Sequence, residues 1–374
     1  MQHHLTLALM ATGRLSLTDI KTLYDNAGSA EDVIQHRNDI RVIAPEASDR
    51  LTELMKQDIS DYQRRAEEEI KWCEQNKVTI RLISDAEYPD RLRHCHDAPM
   101  ALFTRGKADL NATHVINMVG TRKCTNYGMD VIAKIVADIS RTLPDITIVS
   151  GLAYGIDIAA HKAAMNNGLP TIGVVAHGQD TMYPNLHRNE ANKMCLGNGG
   201  VITEFFHGTR PIAQNFLQRN RIIAGMSDAT IVIESAAHGG GLVTARIAQD
   251  YGREVFAIPG PINSEMSAGT NNMIRDNKAA LITSAQDIVN MMQWQNDIAL
   301  QNVRDKGIER SLFVDLTPDE QRIVNLLREQ GDMQANSIAL VSGIPISQVS
   351  SLLFSLEMKT VIKSLPGNTF HLIS

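Results

Sequence analysis

Between about residue 78 and residue 295, short apolar runs alternate with helix-forming stretches, and this alternation restricts the fold more than any other feature of the chain. The strand-like runs fall at 79–83, 114–118, 147–149, 171–175, 201–203, 229–233 and 255–258. Helical stretches lie between them, notably at 129–141, 158–167, 211–224 and 243–251. Strands that are apolar along their whole length are covered on both faces, as in parallel sheets. Repeated βα units of this kind predict an α/β domain with a largely parallel sheet. Ligands of such sheets bind outside the carboxyl ends of the strands.

The flanking regions read differently. Up to residue 77 the chain is helical, with runs at 19–24, 30–35 and a long one at 48–74. Ser29, with Asp32 three residues on, resembles an N-cap followed by an acidic first turn. After a polar stretch at 293–310, Thr317, Pro318 and Glu320 supply a capping box and a proline at the first helical position. Helices at 318–329, 335–341 and 346–357, then strands at 361–364 and 369–373 joined by Pro366-Gly367-Asn368, predict a winged helix. The expected division is a helical domain over 1–77, the α/β domain over 78–295, a linker over 296–311 and the winged helix over 312–374.

Composition narrows the function. The 374 residues carry a net charge of −6, so nucleic-acid binding would need a local basic patch rather than a basic surface. Hydrophobic residues at 43% against 21% charged imply a folded core. No stretch approaches the ~20 apolar residues of a membrane span, and the run 5–10 is too short for a signal peptide. Cys73, Cys95, Cys124 and Cys195 are scattered, which argues for a reducing, cytoplasmic compartment and against disulfides or zinc. His94-Cys95-His96 lacks further ligands at a recognisable spacing, so no metal or cofactor is expected.

Glycine-bearing loops punctuate the strand ends. They include Gly120-Thr121-Arg122, the segment 150–157 with Ser150, Gly151 and Leu152, and Gly239-Gly240-Gly241 ahead of Thr244; Gly269-Thr270-Asn271 is a further one. Glycine admits a phosphate close to backbone N–H groups, and a helix N-terminus adds a favourable partial charge. Neither GxGxxG nor GxxxxGK(S/T) is present, which disfavours an ordinary dinucleotide fold or a P-loop enzyme. The segment 210–221 holds Arg210, Arg219 and Arg221, no acid, and Asn215 and Phe216. On a helix Phe216, Arg219 and Asn220 share one side. Spacing leaves two readings open: a ring and guanidinium groups for single-stranded nucleic acid, or a core phenylalanine with arginines paired to carboxylates.

Taken in order, these segments resemble the DNA-processing protein A (DprA/Smf) family. The likeness rests on 119–122, 150–157 with His161, 178–184, 219–225, 252–260 and 269–271. It implies an extended Rossmann-like domain that binds single-stranded DNA, with an N-terminal helical part of the SAM or helix-hairpin-helix kind and a C-terminal winged helix. It further implies a homodimer through the central domain, protection of incoming DNA and loading of a RecA-type recombinase during natural transformation. By position, Gly120, Thr121 and Arg122 would hold a phosphate, and Ser150, Gly151 and Leu152 would offer backbone donors. Phe216 would stack on a base or line its pocket, Arg219 and Arg221 would supply charge, and Asn215, Gly240 and Gly241 would belong to the same DNA-binding site. Asn271 is expected to be structural. The chain departs from the family pattern at Thr203-Glu204-Phe205-Phe206, Phe216-Leu217, Gly239-Gly240-Gly241 and Lys278-Ala279.

A rival class is an enzyme that hydrolyses N-glycosidic bonds of nucleotides through a GGxGTxxE loop. With Thr244 on that threonine, Ile247 takes the position of the catalytic acid and cannot move a proton. Asp157, Asp180, Glu204 and Glu234 are the remaining carboxylates at strand ends; Asp157 is expected to cap its helix and Glu234 to hold a loop. No catalysis is assigned. The winged helix carries six acidic and four basic residues from 312 onward, and its candidate recognition helix 346–357 contains no lysine or arginine. That composition predicts contact with protein rather than a main role in DNA affinity.

Overall fold

A computed structural model describes residues 2–13, 15–295, 316–359, 361–365 and 369–372. The chain forms two compact units, Met1–Gln295 and Asn296–Ser374. The first opens with helices α1 (Gln2–Ala11), α2 (Leu17–Ala27), α3 (Ala30–Gln35), α4 (Asp49–Met55) and α5 (Ser60–Gln75). The strands are β1 (Thr79–Leu82), β2 (Ala101–Gly106), β3 (Val115–Val119), β4 (Thr147–Ser150), β5 (Thr171–Val174), β6 (Gly200–Thr203), β7 (Ala229–Val232), β8 (Glu254–Ala257) and β9 (Ala280–Leu281). Between them run α6 (Asp90–Arg93), α7 (Asn126–Thr142), α8 (Ile156–Asn166), α9 (Arg188–Leu196), α10 (Ala213–Gly225), α11 (Gly240–Asp250) and α12 (Ala268–Arg275), with α13 (Ala285–Met291) after β9.

The nine strands lie in the order β1-β2-β6-β5-β4-β3-β7-β8-β9. From β6 to β9 all pairings are parallel, while β2 runs antiparallel to both β6 and β1. Every residue of β3, β4, β5, β6 and β7 is buried, as the continuous apolar runs require of strands covered on both faces. The strand predictions agree with the observed strands to within one or two residues at each end. Strands β2 and β9 and helices α6, α9, α12 and α13 fall outside the expected elements, while α1 lies in the region read as helical without a run of its own. The boundary read at residue 78 is a change of element type inside one compact unit: Leu7 and Ala8 of α1 and Ala66 and Cys73 of α5 share a core with Leu82, Ala101 and Phe103 of the sheet.

The long helical run 48–74 is interrupted. Asp58 accepts hydrogen bonds from the backbone N–H of Ser60 at 3.0 Å and from its hydroxyl at 2.7 Å. A short acidic side chain that bonds the backbone ahead of it competes with helix continuation, so α4 ends and α5 begins here.

The second unit contains α14 (Pro318–Gln330), β10 (Met333–Gln334), α15 (Ala335–Ser342), α16 (Ile346–Met358), β11 (Ile362–Leu365) and β12 (Thr369–Leu372), with sheet order β10-β12-β11. This is a winged helix around Ile323, Leu327, Ile338, Val349, Leu353 and Leu356. The expected linker 296–311 and the turn 366–368 lie outside the described residues. Among the described residues no single helix is long and apolar enough to cross a membrane.

The predicted capping box is present: Thr317 Oγ1 accepts from the Glu320 N–H, and the Glu320 carboxylate accepts from the Thr317 N–H at 2.8 Å. Glu320 also accepts from Ser355 Oγ at 2.7 Å and from Lys359 Nζ at 2.8 and 2.9 Å, tying α14 to α16. Burial pushes its pKa up, but these donors outweigh burial and hold it at about 2. A folded-state pKa below the unfolded value contributes stability at neutral pH that is lost as pH falls from about 4.5 towards 2. The contribution is about 3 kcal/mol. Calorimetry should show the C-terminal transition losing stability across that window, and Glu320→Gln should remove most of the dependence; an unchanged profile in the variant would refute the assignment.

Candidate nucleic-acid interface

At the middle of the sheet the strand order reverses, with β4 on one side of β3 and β7 on the other. Loops leaving β3 and β7 therefore diverge and leave a crevice at the carboxyl edge. The crevice is a cleft of about 720 Å³, inside the ~300–1,000 Å³ range of ligand sites.

Its walls are backbone in direct contact. A Cβ on Gly241 would lie 2.8 Å from Gly120 Cα, and one on Gly120 would lie 2.5 Å from the Glu234 carbonyl oxygen. Gly155 has a φ of +76°, and a Cβ there would strike the Thr121 carbonyl and the Arg122 backbone. By contrast a Cβ on Gly240 would meet nothing within 4 Å, because that residue opens onto the cleft.

Helices α10 and α11 both begin at the cleft, and neither N-cap residue (Ile212, Gly239) makes a side-chain capping bond. First-turn N–H groups are thus left for a ligand, and they favour an anion. Arg122 and Lys123 stand at the rim, exposed, with no ion pair among the described residues. Asp157 is the only carboxylate among the described lining residues.

Phe216 of α10 forms the aromatic wall. The Arg122 guanidinium lies 5.3 Å from its ring centroid and that of Arg219 5.8 Å, while Tyr183 meets it edge-on at 5.7 Å and 67°. Arg219 is only 3% exposed. Its Nη1 donates to the Gly151 carbonyl at 2.6 Å and to the Val174 carbonyl. Burial brings its pKa down to about 10, with Asp157 opposing that shift and Arg122 adding to it, so it remains charged at neutral pH. The Asp157 carboxyl is pushed up by burial, against the pull of Arg219.

Of the residues singled out in the sequence, Gly120, Thr121, Arg122, Phe216, Arg219, Gly240 and Gly241 line the cleft together. Ser150, Gly151, Leu152, Asn215 and Arg221 do not. Ser150 is buried and donates to the Met118 carbonyl at 2.6 Å. Leu152, at a φ of +59°, packs against Val175, Ala191, Met194 and Val201. Gly151 lies under the Arg219 guanidinium, where a Cβ would come within 2.7 Å of it. Asn215 is buried and turns its amide back to the Arg210 carbonyl at 3.1 Å. Arg221 is 4% exposed, ion-paired with buried Glu204 and bonded to the Asp97 carbonyl at 2.7 Å. The carboxylate-paired reading of 210–221 therefore holds for Arg221, whereas Phe216 and Arg219 line the cleft.

The carboxylates are occupied in framework roles. Glu234 accepts from Thr125 N–H at 2.9 Å and Thr125 Oγ1 at 2.6 Å, holding the residue that caps α7. Asp180 accepts from the Gly208 N–H at 2.8 Å. Asp157 accepts from the Ala153 N–H at 3.4 Å, in the loop before α8; the N-cap of that helix is Gly155, so the capping role expected of Asp157 is not found. Asn271 exchanges bonds with the backbone of Gly260 at 3.0 and 3.1 Å, a structural role. His161 is buried against Thr171 Oγ1 at 2.7 Å, and burial pushes its pKa down to about 3. Sequence reasoning missed Lys123, Tyr183 and His238 in the lining, whereas Asn220, expected on the Phe216 side of its helix, is there. Lys123 follows Arg122 directly and Tyr183 sits in the 178–184 segment, so both carried a signal.

Comparisons with known proteins find similarity over both units of the chain. Residues 79–293 match the family model of the DNA recombination-mediator protein A, and residues 314–368 match that of the DprA winged helix domain. Protein Smf of Escherichia coli is 35% identical over 315 residues, covering 82% of this chain and 80% of that protein. The X-ray structure of DNA processing protein A from Streptococcus pneumoniae superposes with a TM-score of 0.63 at 31% identity, covering 76% of this chain and 95% of that one. The DNA processing protein A of Helicobacter pylori, solved for its single-stranded DNA binding mode, superposes with a TM-score of 0.51 at 26% identity, over 57% of this chain and 96% of that one.

The glycine contacts give a paired test. Gly241→Ala should force the β3 loop and α11 apart and lower the thermal midpoint, at a cost of ~1–3 kcal/mol for overpacking. Gly240→Ala should leave the midpoint within a few tenths of a kcal/mol or raise it slightly. Thermal denaturation of the two variants side by side checks this; equal effects would mean the Gly120–Gly241 contact is not what sets the loop.

Proposed function

The chain belongs to the DNA recombination-mediator protein A (DprA/Smf) family, and from that premise we propose that its central cleft binds single-stranded DNA. The observation that carries this reading is the Phe216 ring with exposed Arg122 beside it, which has no ion pair among the described residues, at a rim where two uncapped helices begin. Stacking on an aromatic ring and cation contacts to phosphate are what single-strand binding without sequence readout needs. On this reading Arg122 and Lys123 contact phosphates, Phe216 stacks on a base, and Arg219 supplies positive potential from beneath.

Membership of the family extends the proposal to biology. The protein protects incoming DNA in the cytoplasm and loads a RecA-type recombinase during natural transformation, working as a homodimer through its central domain. It does so without catalysis: Glu204 and Glu234 are committed to Arg221 and Thr125, and Ile247 stands where a nucleotide N-glycosidic hydrolase would carry its acid. The winged helix adds little DNA affinity. Its helix α16 bears no lysine or arginine, and Leu340, Phe354 and Met358 of the same unit are 85%, 67% and 71% exposed, a surface suited to protein contact.

Arg122→Ala should weaken binding to single strands of any sequence and flatten the salt slope by ~0.7. Fluorescence anisotropy at several salt concentrations reads both quantities, and unchanged affinity and slope would overturn the assignment. Incubation with nucleotides should release neither free base nor ribose phosphate; release would favour the hydrolase.

A further inference from the structure

The loop that carries Tyr183 into the central cleft has a second side. There Thr181 and Met182 line a separate groove of about 190 Å³. Trp72 and Asn76 from the end of α5, Arg105 of β2 and Arg188 at the start of α9 complete it. Arg188 is exposed and Arg105 partly so, and neither has an ion pair among the described residues. The Nε of Arg188 donates to Asn185 Oδ1 at 3.0 Å, which steadies its guanidinium. The Trp72 ring is stacked on His207 at 5.1 Å and 8°, so it is held in place before any ligand arrives. The carboxylate in the lining, Asp180, is already engaged by the Gly208 N–H.

We propose that a single strand seated in the central cleft continues over Tyr183 into this groove, where Arg105 and Arg188 hold its phosphates beside Trp72. The inference rests on the reading of the central cleft as a single-strand site. Size favours a continuing strand over a free ligand: the groove is smaller than the ~300–1,000 Å³ of pockets that engulf a small molecule. The chemistry is the same as in the cleft, cations and an aromatic ring along one path. Tyr183, 43% exposed, meets Phe216 in the cleft, and the residues just before it, Thr181 and Met182, line the groove, so one short segment borders both sites.

The test uses oligothymidylates of about 4 and about 16 nucleotides, the ends of the range one such site covers. The full-length Arg105→Ala/Arg188→Ala double variant should bind the short strand as the wild type does. It should bind the long strand several-fold more weakly, with the salt slope for that strand flattened by ~1.4, two phosphates at ~0.7 each. In a Trp294→Phe background, emission from Trp72 should be quenched by the long strand and not by the short one, a readout that needs no arginine variant. Equal losses on both lengths, no loss on either, or quenching independent of length would overturn the groove. Failure of the wild type to bind either strand would instead overturn the cleft reading, and the groove with it.

Discussion

The interface depends on the direct contact between the backbones of Gly120 and Gly241, with Gly155 packed beneath Thr121 and Arg122. Three segments from different parts of the chain meet there, with the Ile156 side chain packed against Gly120. Hydrogen bonds complete the junction: Thr121 N–H donates to the Glu234 carbonyl at 2.8 Å, and Ile156 N–H donates to the Thr121 carbonyl at 3.2 Å. Four residues further on, Thr125 is held by the Glu234 carboxylate. The loop between β3 and α7 is therefore pinned at both ends, and Arg122 and Lys123 are the residues left projecting from it. The position of the rim cations follows from backbone packing, which is why the segment 150–157 matters as a support although Ser150 and Leu152 face inward.

Charge is divided between surface and interior. An overall charge of −6 gives no general attraction for a polyanion, and screening confines surface charges to ~8–10 Å at moderate salt. On the proposed reading attraction arises locally, from Arg122, Lys123, exposed Arg210 and the open ends of α10 and α11. The two buried arginines serve other ends. A buried cation costs several kcal/mol unless paired; Arg221 meets Glu204, and Arg219 meets two carbonyls with Asp157 nearby. Arg219 keeps its charge beneath the Phe216 ring and contributes its field to the cleft without being free to move towards a ligand.

Much of this was legible in the sequence. Continuous apolar runs located the parallel strands because burial on both faces leaves no alternation to misread, and the capping box at Thr317–Glu320 located α14 to the residue. Strand β2 escaped because it pairs antiparallel and is not followed by a crossover helix, so the βα rhythm does not announce it. The break between α4 and α5 turned on the two hydrogen bonds that Asp58 accepts from Ser60. At the site, the glycine loops and Phe216 were readable, but treating Arg219 and Arg221 as equivalent was not warranted. Two residues on a helix differ by ~200° around its axis, so only one of them can face the Phe216 side; the partner of the other, Glu204, is a long-range contact that spacing does not reveal.

The geometry of Phe216 also bears on how a base would enter. In the free protein the Arg122 guanidinium stacks over the ring at 5.3 Å, occupying a face that a base would use. An exposed cation–π contact is worth ~0.5–1 kcal/mol, whereas a base stacked on an aromatic ring is worth ~1–3 kcal/mol. On the proposed reading, exchange of one for the other would be favourable, and the displaced guanidinium, with no carboxylate partner among the described residues, would be free to meet a phosphate. Arg219 cannot make the same exchange because its Nη1 is held by the Gly151 and Val174 carbonyls. The two arginines that flank one ring are thus distinguished by what holds them: Arg122 reaches the ring from the exposed rim, and Arg219 is fixed by two backbone carbonyls.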